Sequence, residues 1–184
     1  MNFRAISYYL GLFCFPISFL AFINILYSSY FDYFLSIDSY FITLFVSLFM
    51  GIGLLYYGKY SSKKINFIEQ LFLIIFVYLL IGFLISIPFY LSNNQFTFLN
   101  SFFESISGLT GTGFSTFKNI KYLDPTLILW RSSSQWIGGL YFLFFLRRFF
   151  HNIVILLQII MILKTWLCKS QCLKNNQNKT SIKY

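Results

Sequence analysis

The stretch from Ala5 to Phe31 contains no charged residue, and its apolar centre runs from Tyr8 to Tyr27. A bilayer's hydrocarbon core is about 30 Å thick, and a helix crosses it with roughly 20 apolar residues. A second uncharged run extends from Ser39 to Gly58. A third, Phe67 to Leu91, is interrupted only by Glu69 near its start, with Pro88 close to its end, where a helix break costs least. A fourth, Thr126 to Leu146, carries Arg131 near its beginning. The pattern predicts an all-α membrane protein with four transmembrane helices. Charged residues are 10% of the chain and mean hydropathy is +0.70, against about 25% charged in soluble domains. That excludes a soluble enzyme and a disordered chain.

The first run reads as a retained helix. It is too long for a signal peptide, and no small-residue cleavage site follows it. The net charge of +9 is spread between the apolar runs and through a basic tail, so nucleic acid is not implied as a partner. Loop charges set orientation. Arg4 precedes the first helix, Asp32 and Asp38 follow it, Lys59, Lys63 and Lys64 follow the second, and Arg147 and Arg148 close the fourth. This places the N-terminus and the tail on the cytoplasmic side of a cell membrane. Ile153 to Leu163 is too short to span easily and would carry the tail outside. It reads as a segment on the inner surface, or as the beginning of a further span.

The connection between the third and fourth runs is unusual. From Phe96 to Ser107, Phe98, Leu99, Phe102, Phe103 and Ile106 recur at spacings of three and four, predicting a short amphipathic helix. The next stretch, 107–116, holds three glycines and three threonines and should not continue a helix. A half-length helix followed by an irregular strand between two spans is the layout of a re-entrant pore loop. Non-helical backbone is tolerated at membrane depth where it lines a watery path. Carbonyl and threonine oxygens there can replace the hydration shell of a potassium ion. An external Gly/Ser/Thr loop is the alternative reading.

Two motifs carry a family resemblance. Phe103-Glu104-Ser105-Ile106-Ser107-Gly108-Leu109-Thr110-Gly111-Thr112-Gly113 resembles the first pore loop of Trk/Ktr/HKT-type potassium transporters. Trp130-Arg131-Ser132, followed by Gln135-Trp136-Ile137-Gly138-Gly139, resembles the start of the helix after that loop. The likeness covers roughly Phe3 to Leu146, the N-terminal part of such a transporter. It implies a leading helix pair (1–66) and a first helix–pore loop–helix repeat (67–148); beyond it, composition and charge suggest an inner-face segment with a basic tail (149–184).

It also implies that Thr110, Gly111, Thr112 and Gly113 supply oxygens to a K⁺ selectivity filter. K⁺ would be the transported ion, with no other cofactor. Glu104 would attract cations or support the pore helix, a solvated helix charge being the other reading. Arg131 would pair with Glu104 or Asp124, and Gly108, Gly138 and Gly139 would serve structure, the last two by close helix packing.

The sequence departs from the family pattern at Gly111, where threonine is usual, and at Tyr141, where glycine is frequent. One pore loop is a quarter of a filter. Three outcomes follow: a non-transporting fragment, a subunit completed by further pore-repeat chains, or a homotetramer. A cytoplasmic regulatory subunit would meet the inner face. Cys14 reads as a packing residue, and Cys168, Cys172 and His151 do not amount to a metal site. No paired carboxylates or nucleophilic triad suggests an enzyme.

Overall fold

The computed structural model describes residues 3–31, 33, 37–60, 66–92, 96–116 and 123–147. The expectations for Asp32, Lys63, Lys64, Arg148, His151, Ile153 to Leu163, the two C-terminal cysteines and the tail lie outside them. The described residues form five helices: α1 (Phe3–Tyr30), α2 (Ile37–Gly58), α3 (Phe67–Leu91), α4 (Phe98–Leu109) and α5 (125–147). Residues 1–143 make one compact unit. The last turn of α5 belongs to a second, most of which is not described.

By length and composition α1, α2 and α3 can cross a membrane, which makes this a multi-pass membrane protein. Helix α5 occupies the fourth apolar run, but three of the expected four spans meet the apolar requirement. The reason is local. Arg131, Ser132, Ser133, Ser134 and Gln135 form one continuous polar block in its first half.

Helix ends follow from the residues present. Asn66 precedes α3, and its N–H donates to the Glu69 carboxylate at 3.0 Å. The one acid in that apolar run thus sits in the first turn, where the helix dipole favours a negative charge. Thr97 caps α4, its hydroxyl accepting from the Asn100 N–H at 3.4 Å. Pro88 lies within α3, which continues to Leu91 before Ser92 closes it. Pro16 lies inside α1, where it removes one backbone donor.

Small residues let the helices approach. Along α1, Cys14, Ile17, Ala21, Ile25 and Ser28 are buried at spacings of three and four. Gly11 and Gly51 bring α1 and α2 together, since a methyl on Gly11 would sit 2.8 Å from the Gly51 carbonyl. Gly82 on α3 leaves room for Ile106 of α4.

Helix α5 is held by each of the other four. The Trp130 indole N–H donates to the Ile85 carbonyl of α3 at 3.0 Å, and its ring lies 5.6 Å from that of Tyr40 on α2. The Tyr141 hydroxyl donates to the Phe13 carbonyl of α1 at 2.6 Å, with the two rings edge to face at 4.9 Å. Tyr141, where the resembled family often has glycine, therefore joins α5 to α1 across the core. Tyr141→Phe should lower stability by about 1 kcal/mol, the net worth of one buried hydrogen bond. Thermal unfolding of purified wild type and variant in the same detergent checks this.

Candidate functional site

The site lies where α4 ends and α5 runs past it. On α4, Ser101, Glu104, Ser105 and Gly108 share the buried face at helical spacing. On α5, Leu127, Arg131, Ser134, Gly138 and Tyr141 do the same. A methyl on Gly108 would meet the Ser134 hydroxyl at 2.5 Å, and one on Gly138 would overlap the Leu109 carbonyl. These two contacts press α5 against the C-terminal turn of α4. Gly139 is exposed, and nothing lies near where its side chain would be. Close packing is thus the work of Gly138 and not of Gly139, because α5 turns one residue's neighbour away from the contact.

Helix α4 runs through Leu109, so the first three residues of the 107–116 stretch are helical, contrary to the expectation that the helix stops before them. Thr110 follows with right-handed dihedrals (φ −84°, ψ −7°), and Gly111 reverses to φ +70°. The Gly111 N–H reaches the Gly108 carbonyl at 3.0 Å, and the Thr112 N–H reaches the Ser107 carbonyl at 3.1 Å. This is the Schellman arrangement that closes helices on a left-handed glycine. Gly111 therefore terminates the helix where threonine, with a Cβ, would be strained. Gly113 takes a second left-handed conformation at φ +74°. Residues 112–116 are neither helix nor strand.

The Thr110 hydroxyl donates to the Ile106 carbonyl at 2.8 Å, and the Thr112 hydroxyl lies 3.3 Å from the Ser107 carbonyl. Both threonine hydroxyls turn back on the last turn of α4, instead of standing free as an oxygen ring would need. The Ser107 hydroxyl donates to the Phe114 carbonyl at 2.6 Å.

Glu104 is fully buried, which overturns the solvated-charge reading. One carboxylate oxygen accepts the Thr116 N–H at 2.5 Å, the Ser115 hydroxyl at 2.8 Å and the Thr116 hydroxyl at 3.2 Å. The other faces the Arg131 Nε at 3.5 Å. Arg131 in turn donates to the carbonyls of Gly113 at 3.1 Å and Phe114 at 3.5 Å. A carboxylate from α4 and a guanidinium from α5 therefore grip the same four residues, 113–116, from one side. The opposite side is open: residues 110–114 are exposed, with Phe114 at 70%. The sequence motifs contained Glu104 and Arg131, but not the attachment of the carboxylate to Ser115 and Thr116, which no spacing rule connects.

A shaped, open ribbon of main-chain oxygens between α4 and α5 stands on the same residues as the sequence motifs. Over 99 residues the chain is 29% identical to the Trk system potassium uptake protein TrkH of Escherichia coli. It resembles Trk potassium uptake proteins. That TrkH alignment takes in 53% of this chain and 20% of TrkH. A segment of 62 residues is 39% identical to an uncharacterized cation transporter of Methanocaldococcus jannaschii, covering 34% of this chain and 13% of that protein. Another of 55 residues is 40% identical to TrkI of Halomonas elongata, covering 30% and 11% respectively. The chain thus matches about a fifth or less of these relatives' length. No family model matches it.

Two expectations test the site. Gly138→Ala should destabilise by about 1–3 kcal/mol through overpacking against backbone, while Gly139→Ala should stay within about 0.5 kcal/mol of wild type, as exposed substitutions do. Gly113→Ala has no steric obstacle, so its cost should be torsional, about 1–2 kcal/mol for a left-handed residue. Unfolding midpoints of the three variants in one detergent compare them directly.

Proposed function

We propose that this chain is part of a Trk-type uptake system for monovalent cations, with potassium as the ion carried. The observation that carries the reading is the ribbon at 110–116: non-helical backbone, two left-handed glycines, an open face, and a scaffold built from the two motifs shared with the resembled family. The likeness to potassium uptake proteins supports the choice of ion.

In this reading α5 is a fourth span, α4 and the ribbon re-enter the membrane from the outer side, and Thr110, Gly111, Thr112 and Gly113 form one quarter of a filter. Neutral carbonyl dipoles suit a large, weakly hydrated cation, which exchanges water for main-chain oxygen. They provide no fixed anionic cage of the kind that holds calcium. The membrane potential drives entry, at about 2.3 kcal/mol per charge per 100 mV. The N-terminus, Lys59 and Arg147 face the cytoplasm, by the excess of basic residues on that side. A cytoplasmic regulatory subunit would dock there.

A second reading is a membrane subunit that does not transport alone and docks on chains with further pore loops. The exposure of residues 110–114 favours it, because backbone of this kind at membrane depth needs protein or water beside it.

Rubidium uptake in cells lacking their own potassium uptake systems separates the two. Uptake above empty vector, by the chain alone, supports transport. No uptake, with the protein verified in the membrane, rejects autonomous transport. Recovery of uptake on co-expression with chains bearing further pore loops supports the docking subunit.

A further inference from the structure

The grip on residues 113–116 has a direction. Arg131 and the Ser107 hydroxyl both draw carbonyls of Gly113 and Phe114 toward the scaffold. Glu104 fixes the N–H that follows, at Thr116. Upstream, the Schellman turn uses the N–H groups of Gly111 and Thr112. Among the described residues no donor reaches the carbonyls of Thr110, Gly111 or Thr112. The second half of the ribbon is thus tied inward, and the first half keeps its oxygens.

Taking the pore-loop reading as given, we propose that Glu104 and Arg131 are positioning residues of the ribbon. Together they turn the Gly113 and Phe114 carbonyls toward the scaffold and leave the three carbonyls before them as the oxygens a cation meets, so that of the four proposed filter residues Gly113 contributes its left-handed turn and not its carbonyl. The pair works as a unit. Arg131 is a resident cation 3.1 Å from the Gly113 oxygen, and Glu104 both balances its charge and anchors the chain beyond it. A buried ion pair that loses one member leaves an uncompensated charge and costs more than the pair contributed. Removing either residue should therefore release the ribbon about as far as removing both.

Amide hydrogen exchange on the full chain in lipid nanodiscs, followed through peptides covering 107–116, tests the attachment without any transport. Glu104→Gln and Arg131→Gln should each speed exchange at 113–116 by about tenfold or more, the size expected for losing a hydrogen bond to a charged group. The double variant should be no faster than either single one, and α1–α3 peptides should not change. Arg131→Lys keeps the charge but loses the two-carbonyl fork. It should release Gly113 and Phe114 while Thr116 stays slow, which serves if the glutamine variants do not fold.

Where wild type takes up rubidium, Arg131→Lys should also change the ratio of rubidium to sodium uptake at equal membrane protein, a readout that loss of folded protein alone would not move. Unchanged exchange at 113–116 in the variants, or strictly additive effects in the double one, would overturn the proposal. Slow exchange that depends on the pair, with no uptake by wild type, would leave the positioning role standing and remove autonomous transport.

Discussion

A carboxylate and a guanidinium kept out of water need an opposite charge and hydrogen-bonding groups close by. That requirement organises this molecule. Glu104 and Arg131 sit on different helices, so satisfying them fixes the distance and rotation between α4 and α5. Their remaining bonds run to the main chain at 113–116, so the same pair also fixes the irregular segment. Without the segment, the ions would lack partners. Without the ions, the segment would lack support.

The close approach of the two helices makes the pair reachable. Gly108 and Gly138 let α5 settle on the last turn of α4, and the helical repeat then carries Arg131 two turns back along α5, to the level of Glu104. The four helical partners of α5 set its position in turn. Trp130 and Tyr141, about three turns apart, tie it by ring nitrogen and hydroxyl to carbonyls of α3 and α1. Apolar surface alone would leave such a helix free to rotate within lipid, since hydrocarbon outside is no worse a solvent than hydrocarbon inside. Directional bonds from large side chains remove that freedom.

Much of this architecture was legible in the residues. The uncharged runs gave α3 to the residue and α1, α2 and α5 within two positions, because charges and turn formers bound them sharply. The amphipathic spacing from Phe98 to Ile106 gave α4. What could not be read was long-range. The end of α4 depends on Gly111 serving as a cap, which is known only once the chain beyond it folds back on Ser107. Gly138 and Gly139 are neighbours in sequence and differ wholly in surroundings. The span of α5 was read from its apolar second half, while the polar block at 131–135 lowers its mean below that of the other long helices. Glu104 could be read either as a solvated helix charge or as a structural or cation-attracting group, because its partners come from residues 11 to 27 positions later.

Gly111 has one further consequence. Its left-handed turn belongs to the way a helix stops, and the N–H groups on either side of it are already committed to that ending. The curvature of the oxygens that follow is therefore inherited from chain folding and does not wait for an ion. The entropy cost of ordering this stretch therefore falls on the folding of the polypeptide. The shape of this surface is decided by an older problem, that of bringing an α-helix to a close.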